Sequence, residues 1–478
     1  MSSTDWLALL VLLPLLGSAL VLLVPVAARA WLALAVVLFQ GLAWWPLAQT
    51  FASGSPVILA LGGIEAPLGI RLQLDAPGLL MLLLTALVML AATLHAMVAG
   101  DKASQQPAFW PAWLVLLTGL NVVTLSLDLF NLYVGLELLT LAAVALVATR
   151  QSDTALAAAM RYLILAMLAS LAWLLGVAML YGATGTLDMQ LLGERLQAGP
   201  LVAFALALLL AGLLLKAAIF PLHGWLPLAH ASAPGAVSAV LSALVVKVAV
   251  LVLWRLYQGP GQAVGMLEAG PVLATLGAGA IVYGSLLAFR QNRLKPVIAY
   301  STVAQLGYLL LVLGMPLSAA WQGAWIHLLA HGLAKAAMFL AAANLLRGLG
   351  DDRLTLLAGA GARLPLSAMA IGLAAVSLMG LPPSGGFIGK WLMLQAAFDA
   401  GAWHWFAVLL LGSLLAAAYL FRVLAYLLEQ PEESPPALKA PVAPLAEWLA
   451  LSLALLAIVL GFAAAPLLDL AAAGVSGP

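Results

Sequence analysis

Three protonatable side chains recur at four-residue intervals in the stretch HLLAHGLAK, residues 327 to 335. His327, His331 and Lys335 therefore project from one face of a helix and span about 12 Å along it, at 1.5 Å per residue. Histidine titrates near neutral pH and can both donate and accept a proton. Two histidines at this spacing can also bind a metal ion, but no carboxylate or thiol accompanies them nearby on that helix. The spacing favours a proton relay bridged by water, and no metal site is expected.

Four lysines and one glutamate lie deep in apolar stretches: Lys216, Lys247, Lys335, Lys390 and Glu137. An ionised side chain at the middle of a bilayer costs about 2.5–3.5 kcal/mol on insertion scales, so these side chains must face the protein interior. A structural ion pair would match the glutamate with one lysine and would leave the other lysines without a buried carboxylate. This excess predicts lysines that can lose their charge when desolvated and can therefore exchange protons.

The composition indicates that membrane spans position these residues. Of the 478 residues, 65% are hydrophobic and 8% are charged, whereas about a quarter of a soluble chain is charged. The chain has no cysteine, which excludes disulfides and cysteine-ligated metal clusters. A net charge of +1 gives no indication of nucleic acid binding. The sequence predicts an all-α polytopic membrane protein, a single membrane domain over 1–478, that binds no cofactor.

Apolar runs bounded by charge, proline and glycine predict fourteen transmembrane helices of about 20 residues. The predicted spans are 4–25, 30–50, 77–98, 109–127, 129–149, 158–182, 201–220, 235–256, 271–290, 296–314, 321–347, 365–395, 403–427 and 446–468. The first is predicted as a retained span, because no basic residues precede it. The two longest polar interruptions, 51–76 and 183–199, are predicted as loops.

The basic residues of the chain test this count. When loops alternate between two faces, 12 fall on one face and 3 on the other, and the remaining 4 of the 19 lie in spans. The rich face collects Arg29, Lys102, Arg150, Arg161, Arg290, Arg293, Lys295, Arg347, Arg353, Arg363, Arg422 and Lys439. The poor face collects Arg71, Arg195 and Arg255. Because cytoplasmic loops carry the basic excess, both termini are predicted on the outer side of a bacterial cell membrane.

Two predicted spans are interrupted, by KAAIFPLHGWLP at 216–227 and by SLMGLPPSGGFIGK at 377–390. Proline removes an amide donor and frees carbonyl groups that need partners inside the protein. Pro221 and Pro382 are five predicted spans apart, and an odd number of spans inverts the orientation of the helix. This pattern is typical of inverted repeats in ion-coupled transporters, although each break alone can be a packing kink.

The predicted organisation follows from these breaks. Helices 1–3 occupy 1–108, the first repeat occupies 109–256 (helices 4–8), the second occupies 271–427 (helices 9–13), and helix 14 occupies 446–468. Helices 7 and 12 are the discontinuous ones. Superposing the two prolines places Lys216 opposite Ser377, so Lys216 and Lys390 are not simple repeat equivalents.

Nearly the whole chain resembles the antiporter-like subunits shared by Mrp-type Na⁺/H⁺ antiporters, the membrane arm of respiratory complex I and membrane-bound hydrogenases. The motifs that carry the resemblance are NLYVGLELLTL around Glu137, LLLKAAIFPLHGWLPLAHASAPGAVSAVLSALVVKVAV around Lys216 and Lys247, LKPVIAYSTVAQLGY at 294–308, HLLAHGLAKAAMF at 327–339, and GLPPSGGFIGKW at 380–391. The resemblance implies fourteen helices, breaks in helices 7 and 12, and a polar axis within the membrane plane.

The resemblance also implies a role for each charged residue. Glu137 would pair with Lys216, and Lys247 would lie at the connection between half-channels. The relay would continue through the helix 327–335, which carries His327, His331 and Lys335, and would end at Lys390.

Within that family the chain is most similar to the D-type subunits of Mrp antiporters, through LYGATGTLDM after helix 6 and the lysine of GFIGK. The implied function is proton translocation in exchange for sodium, within a complex of several membrane subunits, by a secondary transporter rather than an enzyme. One alternative is a proton-pumping subunit of an NADH:quinone oxidoreductase or hydrogenase, which would belong to a translocase enzyme. Another is a scaffold subunit that does not transport.

Overall fold

A computed structural model describes residues 2–55, 57–315, 317–429 and 437–475. The chain up to the first break contains α1 Ser3–Leu23, α2 Val26–Ala52, strands β1 Val57–Ala60 and β2 Arg71–Leu74, α3 Ala76–Val98, α4 Phe109–Leu125, α5 Leu129–Ala148, α6 Asp153–Thr184, α7 Met189–Arg195 and α8 Pro200–Lys216. The later helices are α9 Leu226–Ser232, α10 Gly235–Val240, α11 Val246–Gln258, α12 Gly270–Arg290, α13 Leu294–Leu311, α14 Leu317–Leu349, α15 Ala360–Arg363, α16 Pro365–Met379, α17 Gly385–Asp399, α18 Trp403–Leu428, α19 Pro444–Val459 and α20 Ala464–Val475. Part of the predicted loop between helices 13 and 14, residues 430–436, lies outside the described residues.

Long apolar helices dominate the described residues, as expected for a polytopic membrane protein. Among them, 10 helices are long and apolar enough to cross a membrane, and an eleventh span results if α19 and the start of α20, bent by 74°, are counted together. Helices occupy all the predicted span positions, but α4, α8 and α16 have only 17, 17 and 15 residues. The count of fourteen and the inverted repeats therefore stay predictions.

Some details differ from the sequence-based expectation. The predicted loop 183–199 contains the short helix α7, Met189–Arg195. The predicted loop 51–76 contains an antiparallel hairpin, in which Val57 of β1 lies opposite Leu74 of β2. In addition, α6 begins at Asp153 instead of residue 158, because the Ser152 side chain accepts a hydrogen bond from Ala155 N and caps the helix there. Arg161, which the charge count assigns to the basic-rich face, lies within α6.

The described chain divides into two compact units. The first comprises Met1–Met89, Gln105–Ala218 and Leu244–Ala269, and the second comprises Leu90–Ser104, Ile219–Ala243 and Gly270–Pro478. In the first unit, glycines allow helix backbones to meet: a Cβ on Gly119 of α4 would lie 2.8 Å from Leu139 N of α5. A Cβ on Gly212 of α8 would lie 2.7 Å from Ala169 O of α6. Small residues permit such close packing between membrane helices.

In the second unit, α14 and α17 pack equally closely, since a Cβ on Gly389 would lie 2.7 Å from His327 N. Both predicted breaks are present, because α8 ends at Lys216 and α16 ends at Met379. Gly380 follows α16 with φ +80°, a left-handed conformation that glycine adopts without strain and that terminates helices. The next helix, α17, begins after Ser384, whose side chain accepts a hydrogen bond from Phe387 N.

Candidate functional site

Glu137 and Lys216 form an ion pair in the first unit, with 2.9 Å between Oε1 and Nζ. Lys216 Nζ also donates to Thr140 Oγ1 at 3.2 Å, and the Ser170 hydroxyl donates to the Glu137 carboxylate. The Lys216 side chain is 6% exposed and the Glu137 side chain is 15% exposed. The close packing of α5, α6 and α8 thus brings an acid, a base and two hydroxyls together at one largely buried point.

The ion pair lies at a break in the helix, because Lys216 is the last residue of α8. Two unit charges about 4 Å apart attract each other by about 4 kcal/mol at an effective dielectric of 20. A movement of either partner by a few ångströms would release much of this energy. Displacement at the break would therefore change how firmly Lys216 holds its proton.

Lys247, also in the first unit, is completely buried in α11. A π-helical turn, Leu241–Val245, joins α10 to α11 just before it. Such turns occur frequently at functional sites, because they change the direction in which the following side chains project. Lys247 therefore combines full burial with an irregular helix, as expected for a charge that does not face lipid.

The three residues of the HLLAHGLAK motif are buried along α14 in the second unit, with exposures of 1%, 1% and 0% for His327, His331 and Lys335. The two imidazole rings stack with centroids 5.8 Å apart and planes 14° apart. Lys335 Nζ donates to Ile298 O at 2.6 Å and to the Ser301 hydroxyl of α13. The predicted single face of three protonatable groups is therefore turned into the protein and packs against α13.

Lys390 lies in α17, on the far side of the second break. Its Nζ donates to Leu378 O of α16 at 2.7 Å and lies 4.5 Å from the centre of the Tyr308 ring. The Tyr308 ring is in turn 5.2 Å from the His327 ring. Lys390, Tyr308, His327 and His331 thus form an unbroken series of contacts within the second unit.

Helix α13 makes further polar contacts. Two of its residues, Lys295 and Tyr308, were not predicted as site residues. Lys295, predicted in a loop, lies in α13 with 2% exposure, and its Nζ donates to Ala233 O at 2.6 Å. Tyr308, which joins Lys390 to His327, was not among the predicted site residues. Gln305 Nε2 donates at 3.4 Å to Leu378 O, the carbonyl that also binds Lys390. The recurrence of polar residues along 295–308 was the sequence signal that could have indicated these buried contacts.

The candidate residues therefore fall into two groups. Glu137, Lys216 and Lys247 belong to the first unit, and His327, His331, Lys335 and Lys390 belong to the second. The four lysines are 8%, 0%, 0% and 3% exposed in chain order. Their side chains consequently face the protein interior.

Comparisons with known proteins agree with this architecture. Residues 126–416 match the family described as NADH:quinone oxidoreductase/Mrp antiporter, transmembrane region. The N-type subunit of an NADH-quinone oxidoreductase from Desulforudis audaxviator is 38% identical over 396 residues, covering 81% of this chain and 78% of the relative. The D-type subunit of a Na⁺/H⁺ antiporter from Alkalihalophilus pseudofirmus is 30% identical over 427 residues, covering 86% and 84%.

A chain in the structure of the Mrp complex from a Dietzia species superposes with a TM-score of 0.90 and 28% identity, covering 100% of this chain and 97% of that one. The family match includes more than half of the 478 residues and all seven candidate residues. The chain is therefore a polytopic membrane protein of the NADH:quinone oxidoreductase/Mrp antiporter family.

Proposed function

We propose that the chain is the D-type subunit of a multisubunit cation/proton antiporter and that it translocates protons. The observation that carries the proposal is the buried Glu137–Lys216 ion pair at the end of α8. A charge pair beside a helix break can exchange a proton when one partner moves, whereas a purely structural pair needs no break. The family match and the similarity to the Dietzia Mrp complex support a role in proton or cation transport.

Protons would move along the seven candidate residues in the order that the family resemblance implies. Glu137 controls the proton on Lys216, and Lys247 receives it at the start of the second half of the path. His331 and His327, which stack on each other, pass it on, with Lys335 and Lys390 as charged groups on either side. The protein contains no dense carboxylate cluster in its predicted spans that would coordinate sodium, so the cation path involves partner subunits in the same bacterial membrane.

Transport by inverted vesicles that contain the complete complex tests this function. A pH-gradient assay with added Na⁺, K⁺ or Li⁺ should show cation-dependent proton movement. The variants Glu137→Gln and Lys216→Ala should abolish it at unchanged subunit content. Lys102→Ala, which removes an exposed lysine outside the path, is the matched control and should transport at the wild-type rate. Wild-type transport by either site variant would indicate a scaffold role.

A second candidate is a proton-pumping subunit of a redox-driven complex. The 38% identity to a subunit named for NADH-quinone oxidoreductase, over 81% of this chain, favours it. The buried residues would have the same chemistry, but electron transfer in other subunits would drive the protons. Genes for iron–sulfur proteins next to this one, and a pH gradient that forms only with an electron donor and a quinone, would identify this alternative.

A further inference from the structure

Four buried polar residues outside the proposed path connect four helices of the second unit. They are His95 of α3, Asn344 of α14, Ser367 of α16 and Glu447 of α19, with exposures of 2%, 1%, 0% and 8%. Each lies within about two turns of the end of its helix, at the end that the basic residues assign to the cytoplasm. Neither His95 nor Glu447 was singled out from the sequence.

The hydrogen bonds among them run in one direction. Asn344 Nδ2 donates to Ser367 Oγ at 3.2 Å and to Ala446 O at 3.0 Å, which leaves its Oδ1 to accept from His95 Nε2 at 2.9 Å. The Ser367 hydroxyl and its backbone N–H both donate to Glu447 Oε2 at 3.0 Å. Along this series of side-chain hydrogen bonds, each donor therefore lies on the side away from Glu447 and each acceptor on the side toward it.

Glu447 supplies the cap that α16 lacks. The residue before the helix, Leu364, makes no side-chain cap, and Ser367 is the third residue of α16, where a backbone N–H has no partner within the helix. A carboxylate at this position satisfies that N–H and interacts favourably with the positive end of the helix dipole. The position of α16 thus depends on a charge that α19 provides.

The other end of α16 holds the proposed terminal group of the path. Leu378, the second-last residue of α16, accepts hydrogen bonds from Lys390 Nζ and Gln305 Nε2. A 15-residue helix is about 22 Å long. A tilt of α16 at its first turn would therefore displace its last turn. Asn344 ties this first turn to α14, the helix that carries His327 and His331.

We propose that Glu447 is a positioning residue, whose hydrogen-bonded chain through Ser367 and Asn344 to His95 holds α16 against α14 and so keeps the Leu378 carbonyl against Lys390. This inference rests on the proposed function for its effect on transport, but its structural part is independent of that function. A need to give each buried polar group a hydrogen-bond partner would explain each of these bonds separately. It would not require one continuous chain that passes through the helix whose far end binds Lys390.

Hydrogen–deuterium exchange and transport kinetics on the assembled complex test the inference. Glu447→Gln keeps the size of the side chain and removes its charge, while Glu429→Gln, an exposed carboxylate after α18, is the control. We expect Glu447→Gln to speed deuterium uptake at residues 376–385, several-fold over wild type. We also expect it to lower the maximal rate of Na⁺-driven proton transport about tenfold, with an unchanged KM for Na⁺. Glu447→Asp should recover part of both effects.

Ser367→Ala provides a second test if Glu447→Gln fails to assemble. It keeps the backbone N–H bond to Glu447 but cuts the link to Asn344, and it should change exchange and rate in the same direction by a smaller factor. Unchanged deuterium uptake at 376–385, or unchanged maximal rate at altered uptake, would overturn the inference. If wild-type vesicles move no protons with Na⁺, the proposed function fails, and deuterium uptake alone decides the positioning role.

Discussion

Lys390 Nζ lies 4.5 Å from the centre of the Tyr308 ring, so the ammonium faces the negative surface of an aromatic side chain. No carboxylate lies within ion-pair distance of Lys390 in the part of the chain that the structure describes. The ring and the Leu378 carbonyl therefore carry the stabilisation of this charge. Both are neutral groups, so neither contact supplies a counterion for the ammonium.

This contact predicts that the ring matters more than the hydroxyl. Tyr308→Leu should slow proton transport about 5- to 30-fold, because a desolvated cation–π interaction is worth about 1–2 kcal/mol. Tyr308→Phe should stay close to the wild-type rate, since phenylalanine keeps the aromatic face that Lys390 contacts. The initial rate of pH-gradient change in vesicles, normalised to complex content, distinguishes the two variants. Equal rates for the two would argue against a role for the ring.

The buried ion pair predicts a non-additive stability effect. Lys216→Met leaves the Glu137 carboxylate without its counterion and should destabilise the protein by about 3–5 kcal/mol. The double variant Glu137→Gln/Lys216→Met should recover much of this loss, because no uncompensated charge remains, yet it should not transport protons. Thermal unfolding of the purified complex measures the first effect and the vesicle assay the second. Additive destabilisation would argue against a direct pair.

The stacked histidines predict a kinetic defect without an assembly defect. His331→Ala should lower turnover by about 100-fold or more, in the range typical of a lost proton-transfer group, while subunit content stays near wild type. Added imidazole should restore part of the rate. His404→Ala is the control, because His404 is exposed at the start of α18. Equal protein yield with unchanged turnover would contradict the relay.

The second break predicts a steric sensitivity at Gly386. A Cβ there would overlap with Ser377 O, so Gly386→Ala must push α17 away from the end of α16. Overpacking of this kind costs about 1–3 kcal/mol, which should appear as a lower melting temperature and slower transport. Gly41→Ala is the matched control, because nothing lies within 4 Å of the added methyl group. It should be neutral or slightly stabilising.

The orientation of the chain can be tested directly, because the protein has no cysteine. A membrane-impermeant thiol reagent added to intact cells should label Arg195→Cys and should not label Lys102→Cys. Both positions are exposed, so a difference reports the side of the membrane and not accessibility within the fold. The opposite pattern would reverse the predicted topology. Labelling of both would mean that the span count between them is wrong.

The candidate residues could be selected from sequence because charge is costly in a bilayer. Glu137 and the four lysines stand out in apolar runs, and the four-residue spacing of His327, His331 and Lys335 places them on one helix face without any tertiary information. The helix breaks at Pro221 and Pro382 could be predicted for the same local reason, the missing amide donor of proline.

Tertiary structure decided which side chains meet. The neutral partners of Lys390, a tyrosine ring and a backbone carbonyl, carry no charge and no motif that would mark them beforehand. Lys295, Glu447 and His95 lie close to helix ends, where a polar residue normally meets water, and their burial depends on helices distant in sequence that cover them. Local composition determines where a charge lies along the chain, whereas only the packing of helices determines what faces that charge.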